Sequence, residues 1–171
     1  MNSLCLEHLN SVSPYKVKRD EASGLYYFIT KNQVQLTIDF MDDDLITTAE
    51  SYQFVINNAN NQKSPRDIKV QQTILLIVDE FFRQNQAAFL YLCETSDGKQ
   101  KARSRLFSYW FETYAYAKLF TCMTTSLLDL EGVYNSATLI IRNDHPNYRD
   151  VIADFTNISA VLSEKPISPA L

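Results

Sequence analysis

The chain has 171 residues, 46% of them hydrophobic and 21% charged, with a formal net charge of −4. That length suits one domain burying roughly 70% of its unfolded surface, and the net acidity excludes a global attraction to nucleic acid or an anionic membrane, so any basic site must be local. Three scattered glycines cannot make a phosphate-cradling loop, and three cysteines with no CxxC spacing argue against a disulfide scaffold or a zinc knuckle.

Residues 1–14 are weakly patterned and are expected to be mobile unless something docks them. Nothing near Met1 has a basic region ahead of an apolar one. The longest apolar run, Ala87–Cys93, is seven residues, far short of the roughly 20 of a membrane span. The expected location is therefore cytoplasmic, with no membrane partner. Tyr15–Arg19 suits a short edge strand. Leu25–Thr30 and Gln33–Phe40 read as a hairpin, because Val34, Leu36, Ile38 and Phe40 alternate with polar residues. Lys31-Asn32 is its expected turn, with asparagine taking any positive φ. Asp42-Asp43-Asp44 lacks the glycine and ligand spacing of a calcium loop and reads as a solvated acidic loop. Tyr52, Phe54 and Ile56 alternate through a third strand.

Ser64-Pro65-Arg66-Asp67 reads as a helix start, with Ser64 as cap and Asp67 closing a capping box. The helix runs to about Gln84 with Ile68, Gln71, Ile74, Leu75, Val78, Phe81 and Phe82 as its buried stripe. Asp79-Glu80 is expected on its solvated edge. The uninterrupted run Ala87–Cys93 predicts a central strand covered on both faces. A turn at Ser96-Asp97-Gly98 leads to a second helix, capped by Asp97, with Leu106, Phe107, Trp110, Phe111 and Tyr114 at helical spacing. Lys118–Ser126 and Tyr134–Arg142 predict an antiparallel pair. A last helix follows Asp144-His145-Pro146, where His145 is expected to cap, and residues 165–171 form a tail. The predicted order is β-β-β-α-β-α-β-β-α: one α+β domain over residues 15–164, with a mixed central sheet of about six strands and three helices.

The distinctive site is the basic turn and helix start at 97–105. Lys99, Lys101, Arg103 and Arg105 place four cations within seven residues. Positive charge in a first helical turn opposes the helix dipole, and a sequence that keeps it there is placed to hold an anion or an acidic partner. The competing reading pairs these cations with the chain's own acids. Tyr109, off the apolar stripe, is the aromatic residue best placed to join them. His8, His145 and the cysteines assemble no catalytic triad and no metal set, so no catalytic residue is assigned and neither metal nor resident cofactor is expected.

The element order resembles that of the general N-acetyltransferase superfamily. That resemblance implies acyl-CoA binding at the loop 62–68, with Gln62 and Arg66 toward the cofactor. The loop lacks the family's spaced glycines, and the later Asp97, Ala102 and Leu106-Phe107 match the family's signature only in part. Separately, YYFIT, VQLTIDF, RDIKVQQTI with Phe81-Phe82, and YLCETSDGKQKARSRLFSYWF resemble an uncharacterised bacterial family, a domain of unknown function, which implies no activity. The expectation is a non-enzymatic interaction module holding an acidic protein or a small anion at 97–105. A divergent acyltransferase is the first alternative and nucleic-acid binding through the basic helix, disfavoured by the net charge, the second. The sequence leaves the oligomeric state open.

Overall fold

The computed structural model describes residues 1–93, 100–114, 116–128 and 134–163, without the side chains at 93, 100–104, 127, 128, 134, 159 and 161–163. Its elements are α1 (Leu6–Val12), β1 (Lys18–Arg19), β2 (Tyr26–Ile29), β3 (Gln35–Asp42), β4 (Ser51–Asn58), α2 (Ile68–Gln84), β5 (Ala88–Cys93), α3 (Gln100–Glu112), β6 (Phe120–Leu128), β7 (Tyr134–Arg142) and α4 (Tyr148–Ser163), with a 3₁₀ turn at Ala117–Leu119. The strands form one mixed seven-stranded sheet in the order β1-β2-β3-β4-β5-β7-β6, so the chain is α+β as its sequence predicts. Helix α1 adds to the predicted elements, and the short edge strand expected within Tyr15–Arg19 is the two-residue β1. The chain partitions into two compact units, Met1–Met41 with Gln53–Ala87, and Asp42–Tyr52 with Ala88–Leu171.

In the first unit, the predicted alternation of β3 is realised: Val34, Leu36, Ile38 and Phe40 are buried, while Gln35, Thr37 and Asp39 are half-buried. β2 pairs antiparallel with β3, Ile29 opposite Gln35. The connection differs from the expected two-residue turn. Thr30 N–H donates to Val34 O, and the positive φ of 59° falls on Gln33 rather than Asn32. Three residues close the hairpin, the last of them left-handed, which suits the strand twist. The core is aromatic. Phe40 stacks on Phe81 at 4.7 Å between ring centroids and meets Phe54 at 5.4 Å, and Tyr26, Phe28 and Phe82 are buried with them.

Helix α2 begins later than its sequence suggests. Its cap is Asp67, whose Oδ1 accepts from Lys69 N–H at 2.9 Å, and Ser64, Pro65 and Arg66 lie outside the helix. Asp67 wins because its carboxylate is fixed by a second bond, from the Tyr15 hydroxyl at 2.6 Å. Thr73, not Gln71, is wholly buried on the helix's inner face, and its hydroxyl donates back to Lys69 O. Ile68 is 60% exposed and does not belong to the buried stripe.

In the second unit, β7 lies between β5 and β6 and pairs antiparallel with both. Residues alternate across this sheet. Ala88, Leu90, Ala137, Leu139 and Ile141 pack with Val151 and Phe155 of α4 in one aliphatic cluster. On the other face, Tyr91 meets Phe107 of α3 at 4.3 Å, and Phe111 meets Phe120 edge-on at 5.6 Å. Two covered faces explain why β5 carries no polar alternation. Ile46 joins the aliphatic cluster from the loop before β4. Asp43 makes that possible and corrects the picture of a wholly solvated acidic loop. It is buried, and its Oδ2 accepts from Leu45 N, Ile46 N and the Ser51 hydroxyl at 3.0–3.2 Å. Asp42 and Asp44 are exposed.

Candidate functional site

Helix α3 carries the basic cluster into the fold. Lys99 lies outside the described residues. Lys101 and Arg103 lie within α3, but their side chains lie outside the described residues. Arg105 is exposed, and Tyr109 is 55% exposed one helical turn further on. The helix is oriented by Phe107 and Phe111, each 2% exposed and four residues apart, so they form one inward line. That spacing turns Arg105, Leu106, Tyr109, Glu112 and Thr113 outward, and all five are exposed. Leu106, predicted in the buried stripe, is 47% exposed. Phe107 beside it fills the sheet-facing position, and neighbouring helical residues point about 100° apart.

Helix α3 ends on its own chemistry. The Thr113 hydroxyl donates at 3.0 Å to Trp110 O, a carbonyl that the helix end leaves open, and to Tyr109 O, which also accepts the Thr113 N–H at 3.2 Å. Just beyond, Tyr116 is 58% and Leu119 48% exposed, with Lys118 exposed between them. The region 105–119 therefore shows solvent two tyrosines, two leucines and two cations. Sequence reasoning missed Leu119, because 118–126 reads as continuous strand, and Tyr116, which falls between that strand and the helical spacing that ends at Tyr114. The signal available was the preceding cluster of tyrosines and alanines, which has no strand alternation.

The loop predicted to meet acyl-CoA runs ahead of α2. Gln62 and Arg66 are both exposed. The Gln62 carbonyl accepts from Asn58 Nδ2 at 2.8 Å. The start of α2 is served by Asp67, whose carboxyl is held below its usual range, first by the Tyr15 hydroxyl bond and then by the Lys69 amide. An ionised carboxylate at a helix start takes the position that an incoming phosphate would use.

Two clusters outside these loops gather titratable groups. Glu80 is 1% exposed, which corrects its assignment to a solvated edge. Its Oε1 accepts from Cys5 N–H at 3.2 Å and Gln84 Nε2 at 2.7 Å, and its Oε2 lies 2.6 Å from His8 Nδ1 and 3.5 Å from Arg83 Nε. Glu80 thereby ties α1 to α2. Its position three residues after Ile77 on the inner face was the legible sign. His145 is 7% exposed, and its Nδ1 accepts from Asn147 N–H at 3.1 Å just before α4, the capping-type role read from sequence. Burial, and then Glu112, push the Cys122 thiol up to about 11, so it is not a nucleophile near neutral pH. Among the described residues no group of three His, Cys, Asp or Glu side chains is arranged to hold a metal ion, and no helix is long and apolar enough to cross a membrane.

No curated protein and no solved structure is detectably similar to the chain. A family of unknown function (DUF6169) matches residues 66–157, more than half of the 171. The match begins at Arg66, takes in α2, β5, the whole of α3, β6 and β7, and ends within α4. The chain belongs to this DUF6169 family.

Proposed function

We propose that the chain is an interaction module whose working surface is the outward face of α3, taking an acidic protein segment. One observation carries this reading: Arg105 stands beside Leu106 and one turn from Tyr109 on a single exposed face, while Phe107 and Phe111 anchor the helix from behind. An apolar patch with cations at its margin suits a ligand that brings both carboxylates and apolar side chains. Tyrosine and arginine give much of the energy at such contacts, because each offers a large rigid surface together with a polar tip. Lys99, Lys101 and Arg103 add positive charge to the same stretch of sequence. The lowered position of Asp67 favours no second reading at 62–68.

A labelled peptide of alternating glutamate and leucine is the probe, titrated into the purified chain at low and high salt. Binding should weaken with salt and weaken roughly tenfold or more in the double variant Arg103→Glu, Arg105→Glu. Tyr109→Ala should weaken binding at either salt concentration. Unchanged affinity in a charge-reversed protein with the wild-type melting temperature would refute the proposal. Inorganic phosphate competing as well as the peptide would replace the protein partner with a simple anion.

A further inference from the structure

The first and last strands of the sheet order are built in contrasting ways. β1 is two residues, Lys18–Arg19, both exposed and both basic. Short length and cationic side chains are the usual means of keeping a further strand from adding to an edge. β6 is nine residues, FTCMTTSLL, without a charge or a proline. It pairs with β7 residue for residue, from Phe120 opposite Arg142 to Leu128 opposite Tyr134, without a bulge. Among the described residues no strand follows it. Length, unbroken register and neutrality are the properties that make an edge receptive to another strand.

We propose that β6 pairs antiparallel with β6 of a second copy of this chain, about a twofold axis through Thr124. Thr124 is the midpoint of the nine residues, so this register uses the whole strand. It sets Thr124 against its own twin, Met123 against Thr125, and Cys122 against Ser126. Each residue meets one of the same parity, so the face covered by α4 continues into the same face of the partner. The neutrality of β6 selects a like partner. Two copies that each carry −4 overall bring no like charges together along this seam, whereas a charged segment gains nothing from a strand that has no charge to answer it. The symmetry is closed, so pairing stops at two copies. Thr124 is exposed, and its hydroxyl shares a 2.9 Å hydrogen bond with Thr138 on the neighbouring strand. Met123 packs on the aliphatic cluster yet remains only partly buried.

The axis supplies the test. Sedimentation equilibrium of the full chain at roughly 1–100 µM should show a mass about twice 19.7 kDa at the upper end. Thr124→Lys and Thr124→Glu each set like charges against themselves, and each alone should raise the dissociation constant roughly tenfold or more. Mixed one to one, the two variants should form a heterodimer, because the lysine then meets the glutamate. Thr124→Val loses the same hydroxyl without adding charge and should dimerise as the wild type does. A wild-type chain that stays monomeric throughout overturns the proposal. So does a mixture that stays monomeric, or a valine variant as monomeric as the lysine variant. Undiminished dimers in both charged variants would place the contact on another surface and equally overturn it.

Discussion

Glu80 and Asp154 hold peripheral segments in place in the two compact units, and they do so from opposite settings. Glu80 is almost wholly buried and gathers Cys5 N–H, His8, Arg83 and Gln84 around both of its oxygens. Asp154 is half-buried on α4, and a single oxygen, Oδ2, accepts from the amides and hydroxyls of both Thr47 and Thr48 at 2.9–3.1 Å. The buried acid carries a desolvation cost that its partners must offset. The half-buried acid keeps water within reach, so less depends on each bond. The same contrast runs through the packing. The first unit is filled by aromatic rings around Phe40 and Phe81, whereas the α4 face of the second is filled mainly by aliphatic side chains around Leu139.

The strongest way to break this comparison is to empty each core. Phe81→Ala should cost about 4–5 kcal/mol, and Phe155→Ala about 3 kcal/mol, read as shifts in the urea midpoint at constant slope. Phe81 is wholly buried against the Phe40 and Phe82 rings, whereas Phe155 has the partly buried Ile152 and Ile158 in the same cluster to close over it. Equal losses would show that the two cores relax alike. Next comes Glu80→Gln, expected to cost about 1–3 kcal/mol. Hydrogen exchange should speed up selectively at the amides of α1, since that helix loses its charged anchor. Unchanged protection there would mean that the burial of Leu4 and Leu9 holds α1 alone.

Asp154→Asn should have the smallest effect, about 1 kcal/mol near neutral pH, and its pH dependence is the informative part. The four donors, led by the Thr47 amide, hold the Asp154 carboxyl below its usual range. Its folded pKa lies below the unfolded value, so its stabilisation is complete above about pH 4 and fades as pH falls through the folded value. The stability gap between wild type and Asp154→Asn should narrow from pH 6 to pH 2.5. A constant gap would show that the amide serves the threonines as well as the carboxylate.

Periodicity made most of the fold legible. The alternation of Val34 to Phe40, the stripe of α2 and the seven-residue apolar run at Ala87–Cys93 each correspond to a face that tertiary packing covers. What escaped is what tertiary contacts decide. Helix α1 has seven residues, too few to be stable alone in water, and forms where Glu80 and α2 receive it. Asp43 stands between two identical neighbours, and only the turn to Ile46 singles it out. For the site, the sequence showed the cations and Tyr109. It did not show that Leu106 faces out, because 106 and 107 are both apolar and spacing alone does not say which one meets the sheet.

The position of β7 has a consequence for the order of events. It is made after β6 yet lies beside β5, so the strand that completes the middle of the second unit is the last one synthesised. Its pairing with β6 closes a short loop, whereas its pairing with β5 closes one of about forty residues, which carries a larger entropic cost. The β6–β7 hairpin should therefore form first, on the microsecond scale of local pairs, and dock onto β5 as a finished piece. Until then β5, the most apolar strand of the chain, has no β7 beside it, and a nascent chain halted before Tyr134 leaves it waiting for a neighbour that has not been made.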